Sequence, residues 1–63
     1  MNHYPAIRCI EKRITELNDE RLICKKIMEN PEMLSDYYFA KSDLDNINNE
    51  ISNLKETIKY LIE

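Results

Sequence analysis

Residues 37–61 read YYFAKSDLDNINNEISNLKETIKYL. Within them Tyr37, Ala40, Leu44, Ile47, Ile51, Leu54, Ile58 and Leu61 recur at alternating steps of three and four. The pattern runs unbroken for about three and a half heptads, the periodicity of a helix lying along a partner helix. A single helix cannot bury such a stripe, so another helix must lie against this face. In heptad terms Tyr37, Leu44, Ile51 and Ile58 share one core position, and Ala40, Ile47, Leu54 and Leu61 share the other. Asp36, Asp43 and Glu50 flank the seam on one side; Lys41, Asn48 and Lys55 flank it on the other. Opposite charges along the two edges favour a defined partner orientation.

Working back towards the N-terminus, a second stripe appears. Pro5 suits a first helical turn, because its missing N–H would be unpaired there. Ile7, Ile10, Ile14 and Leu17 follow at the same spacing, Arg21 interrupts, and Cys24 and Met28 resume it. Ile23 and Ile27 widen this face towards its end, which suggests contact with more than one neighbour. Between the stripes stands Asn30-Pro31, which disfavours helix at Asn30 and removes a backbone donor. Asn30 can also cap a new helix with Pro31 at its first position and Glu32 in its first turn. A competing start lies at Ser42, which with Asp45 has the spacing of a capping box. Residues 31–40 would then be a short separate helix. A continuous second helix is the preferred reading, because Tyr37 and Ala40 stay in phase with the later stripe.

The expected fold is therefore all-α: one domain over residues 1–63, an antiparallel, coiled-coil-like hairpin with arms at about 5–29 and about 31–62. A chain of 63 residues buries little core and often needs a disulfide, a metal or a second chain. Pairing of two hairpins into a two-fold four-helix bundle is the simplest closed solution. The expected core is Ile10, Ile14 and Leu17 of the first arm with Tyr37, Leu44, Ile47, Ile51, Leu54, Ile58 and Leu61 of the second.

Composition narrows the classes. Glycine is absent, so tight β-hairpin turns, which draw on positive φ, are disfavoured. The formal charge is −3. Residues 1–29 are roughly neutral, while residues 30–63 set three lysines against seven acids. No cationic stripe of the kind that binds nucleic acid generally is evident. Arg8, Lys12, Lys25 and Lys26 are nevertheless the residues with which a helical-hairpin dimer would hold structured RNA or DNA. No apolar run approaches the ~20 residues of a membrane span. No charged leader with an apolar stretch behind it is visible, and a cytoplasmic setting is expected. Cys9 and Cys24 fall on one expected helix, roughly 22 Å apart at ~1.5 Å per residue, which excludes an intrachain disulfide. Reduced, mostly buried thiols follow. His3 is the only histidine and no close Cys/His ligand spacing exists, so no metal or other cofactor is expected.

No motif specifies a reaction. Arg21, in phase with the core, either reaches a carboxylate, with Asp43 and Glu50 as the partners to consider, or packs its stem and sends its head to the bundle edge. Tyr38, Phe39 and Tyr60 point away from the stripe; Tyr38 and Phe39 either close the turn end of the bundle or meet another protein. With Asp36 and Asp43 they are the candidate partner-binding residues. Asp36, Asp43 and Asp45 lie near Lys41, yet acid–base catalysis needs a concave, partly dry site that a hairpin does not offer. The expected function is a small non-catalytic regulatory or inhibitory protein acting by protein–protein binding. Its size and its Ile-, Asn- and Lys-rich composition suit a bacterial or phage source.

One stretch carries a family likeness. Lys41-Ser42-Asp43-Leu44-Asp45 slightly resembles the S-Q-E-L-D signature of the small aspartyl-phosphate phosphatases that restrain sporulation, which are also short helical hairpins. Leu44 and Asp45 match outright. Lys41, Ser42 and Asp43 stand where the signature has Ser, Gln and Glu. Ile10-Glu11-Lys12-Arg13 is loosely similar to that family's first helix, with a longer spacer between the two segments. The resemblance implies an activity on a phosphorylated response regulator, with Asp45 as the residue carried over.

Overall fold

The computed structural model of the chain describes residues 4–62. Helix α1 spans Tyr4–Glu29 and helix α2 spans Leu34–Ile62. Among the described residues only 30–33 lie outside them, and they turn the chain back on itself. The helices pack against each other as an antiparallel hairpin, a rod of 51 × 14 × 11 Å. Among the described residues no helix is long and apolar enough to cross a membrane.

Both stripes face inward. All eight α2 positions from Tyr37 to Leu61 are buried or half-buried, and the rest of α2 is exposed except Asp36. On α1 the inward row is Ile7, Ile10, Ile14, Leu17, Arg21, Cys24 and Met28, joined by Asn18. Full burial is confined to Leu17, Cys24, Ala40, Ile47 and Ile51, with Ile14, Met28, Leu44 and Leu54 packed around them. Leu17 is the most enclosed, at 1% exposure. Burying a side chain of that size fully contributes about 1.5–3 kcal/mol, so this small group carries most of the hairpin's cohesion.

The turn differs from the sequence expectation. Asn30 does not cap α2 and Pro31 is not its first residue. The Asn30 N–H instead closes the last turn of α1 by donating to the Lys26 carbonyl at 3.1 Å. Pro31 and Glu32 bridge the gap, and α2 starts at Leu34. Met33 occupies the cap position. Its N–H donates to the Asp36 carboxylate at 3.2 Å, and the Asp36 N–H donates back to the Met33 carbonyl at 3.0 Å. This is the reach-back half of a capping box, in which an acid at the third helical position satisfies the donor of the cap residue. The helix then runs through Ser42 without interruption, so the start considered at Ser42 and Asp45 is not used.

Candidate functional site

Two clefts run along one flank of the hairpin, from the turn to its middle. At the turn end Cys24, Ile27, Phe39, Ala40 and Asp43 line a cleft of about 330 Å³ together with Asn30, Glu32 and Asp36. A second cleft of about 370 Å³ adjoins it through Cys24, Ile27 and Asp43, and extends past Ile23 and Glu20 to Arg13 and Glu50. Together they form one groove. Its floor is low because Cys24 and Ala40 are the two small members of the core and both open onto it. Its walls are apolar: Ile23 is 58% exposed, Ile27 39% and Phe39 70%.

Acids rim the groove. Glu20, Glu32, Asp36, Asp43 and Glu50 all line it, and Arg13 is the one cation among its lining residues. Arg13 is engaged at the far end. Its Nε donates to Glu50 at 2.9 Å and its guanidinium meets Glu16 at 3.5 Å. Those acids, the Glu50 hydrogen bond foremost, hold the Arg13 pKa above its ordinary value. The Cys24 thiol at the groove floor reports the same field. Burial pushes its pKa up first, and the negative charges of Asp43 and Glu20 push it further.

The structure separates the residues that the sequence grouped for partner binding. Asp36, Phe39 and Asp43 come together in the groove. Asp36 also serves the α2 cap, so it is held in place by backbone groups. Tyr38 lies outside both clefts, its ring edge-on to Tyr37 at 5.5 Å, and Tyr60 is exposed far along α2. Ile23, Ile27, Glu20 and Cys24 belong to the groove and were not among the candidate residues. The widening of the α1 stripe at Ile23 and Ile27 was the signal that could have found them.

Arg21 is half-buried, and its partner differs from the two considered. Its guanidinium donates to the Asn48 side-chain carbonyl at 3.4 Å, not to Asp43 or Glu50. The antiparallel register brings Asn48 to that level, while Glu50 falls opposite Arg13 and Asp43 lines the other flank. The thiols also differ from expectation. Cys24 is buried, but Cys9 is exposed, and both are free. His3 lies outside the described residues. Among those described, no cluster of three or more His, Cys, Asp or Glu could hold a metal ion.

The remaining candidates fall elsewhere. Arg8 and Lys12 lie on the outer face of α1 beside Tyr4 and Thr15, with the Arg8 guanidinium 5.5 Å from the Tyr4 ring centroid. Lys25 and Lys26 lie near the other end of α1, roughly 20 Å away at ~1.5 Å per residue. The two basic pairs therefore form separate spots rather than one stripe. Asp45 is exposed on α2 and lines neither cleft.

These features define an all-α helical hairpin with one grooved, acid-rimmed flank. No family model, no curated protein and no solved structure matches the chain.

Proposed function

We propose that the chain is a small non-catalytic regulator or inhibitor that acts by binding another protein, and that the groove between α1 and α2 receives it. The observation that carries this reading is the coincidence of exposed apolar walls at Ile23, Ile27 and Phe39 with a low floor at Cys24 and Ala40. Apolar side chains left around a depression are a feature of binding surfaces rather than of a solvated helix face. Catalysis has less support, since the thiol at the groove floor, Cys24, is buried and its pKa is raised, which disfavours the reactive thiolate.

Self-association belongs to the same reading. The chain exposes 5202 Å², about 900 Å² more than the ~4300 Å² of a compact monomer of this mass. That excess is close to the ~800 Å² that each partner contributes to a standard interface. A two-fold four-helix bundle would cover it. Its pairing face is the flank opposite the groove, where Leu22, Tyr38 and Ile62 are exposed, because an isologous contact through the groove would set its acids against their own copies.

Two measurements test the proposal. Light scattering at micromolar concentration should give twice the 7.6 kDa chain mass. Capture from a lysate of the source cell should return a partner that a Phe39→Ala, Ile27→Ala double variant loses while keeping its helix content. A chain that stays monomeric and a variant that recovers every partner unchanged would together defeat the reading.

A further inference from the structure

The groove has a length, a shape and a sign of charge, and together they specify an occupant. From Asp36 to Glu50 it follows α2 for fourteen positions, roughly 21 Å or about four helical turns at ~1.5 Å per residue. A continuous valley between two antiparallel helices fits a third helix lying along it, by the same packing of side chains into gaps that joins α1 to α2. The small pair Cys24 and Ala40 leaves space between Ile27 and Phe39 for a large side chain to enter from outside. At both edges the occupant would meet carboxylates: Glu20 from α1, Asp36 and Asp43 from α2. Of these, Asp43 has no ion pair among the described residues, and Arg13 is spent on Glu16 and Glu50 at the far end.

We propose that this groove binds an amphipathic helix of a partner protein, about four turns long, with a large aliphatic or aromatic anchor seated over Cys24 and Ala40 and Lys or Arg residues flanking its apolar stripe. This rests on the binding-module reading above and names the chemistry of its partner. A second copy of the chain is the less suitable occupant, since two-fold contact would place Asp43 and Glu20 opposite acids. Nucleic acid is repelled by the same rim. The cations of the partner helix add on-rate and orientation, while the apolar anchor supplies most of the affinity.

The test uses three synthetic helical peptides of about four turns, with one shared leucine stripe and flanks of lysine, glutamate or glutamine. The full chain is labelled for backbone NMR and titrated with each. The expected result is binding of the lysine peptide with shifts centred on Cys24, Ile27, Phe39, Ala40 and Asp43, and at least tenfold weaker binding of the glutamate peptide. Asp43→Lys should weaken the lysine peptide about tenfold, as expected for reversing a charge beside the contact. Phe39→Ala should weaken all three peptides. Glu56→Lys, outside the groove, should change nothing; circular dichroism checks that each variant keeps its helices. A groove footprint that is indifferent to peptide charge overturns this inference and leaves the binding-module reading standing. Shifts that fall outside the groove, or groove resonances that move with protein concentration alone, overturn it by assigning the surface elsewhere or to a second copy. A groove that takes none of the peptides removes this inference and the proposed binding surface together.

Discussion

The end of the hairpin near the turn and the end carrying both termini use the same three-four stripe, but they solve burial differently. Nearest the turn Met28 and Tyr37 are half-covered, but one layer further in Cys24 and Ala40 are small enough to be covered completely by the opposite helix. Towards the termini the inward positions are Ile7, Ile10, Ile58 and Leu61, large β- or γ-branched side chains that the opposite helix covers only in part. The small layer closes the interior, yet strands its neighbours Ile27 and Phe39 at the surface and so creates the groove. The large layer leaves its apolar surface spread along the rod. A two-helix seam thus trades a complete core against an even surface, and the two ends make opposite choices.

Substitutions can break or sharpen this contrast. The largest effect is expected at Leu17, at the centre of the buried group. Leu17→Ala should cost about 3 kcal/mol, enough to abolish a cooperative thermal transition in a chain of this size. Ile58→Ala at the half-covered end should cost about 1 kcal/mol in urea unfolding, because part of its surface is already in water. Were the Ile58 cost to equal that of Leu17 and to grow with protein concentration, the open end would be packed by a second chain and the contrast would belong to the isolated hairpin alone. At the turn, Asp36→Ala should cost about 0.5–1 kcal/mol by releasing the Met33 N–H. Hydrogen exchange should localise that loss to the first turn of α2.

Two smaller effects probe the charged flank. Glu50→Gln removes the Arg13 contact between two well-exposed side chains, so it should lower the melting temperature only slightly. The difference should vanish near 1 M salt, where the screening length is about 3 Å. The pH effect is the smallest. The Cys24 thiol is raised from its ordinary value of 9.0 by burial and by Asp43 and Glu20. A raised thiol pKa favours the neutral form in the folded state. Its contribution is therefore complete below the unfolded thiol pKa and disappears as pH rises through the higher folded one. Above pH 9.0 the wild type should lose stability relative to its own neutral-pH value faster than Cys24→Ala does. Alkylation at lower pH should reach exposed Cys9 well before Cys24.

Much of this architecture is written in single residues. The eight-position stripe of α2 points inward without exception, and the α1 row keeps its phase through Arg21. Heptad spacing expresses this directly, because it is the geometry of the seam itself. The start of α2 is not legible, since Met33 carries no side-chain oxygen to cap a helix and the capping signal comes from Asp36 reaching backwards. Asn30-Pro31 is a stronger local signal and drew the boundary three residues too early. The Arg21 partner and the groove depend on register between helices, which local periodicity leaves open. Only once Cys24 and Ala40 lie at one level does a pair of unremarkable small residues become a floor. Tyr38, Phe39 and Tyr60 are all exposed, as their phase outside the stripe predicts, but only register between the helices sets Phe39 beside Cys24 and Ile27.

The four-residue connection has a kinetic consequence. Cys24 and Ala40 are sixteen positions apart in the chain, whereas Ile7 and Leu61 are fifty-four apart. With loop-closure entropy growing as (3/2)RT ln n, bringing the distant pair together first would cost about 1 kcal/mol more. Zippering from the turn is the cheaper route, and helical hairpins with such local contacts form quickly. Fraying runs in the reverse order, from the termini inward. The floor between Cys24 and Ala40 is then among the first surfaces to form and the last to dissolve, so the groove outlives transient opening of the far end.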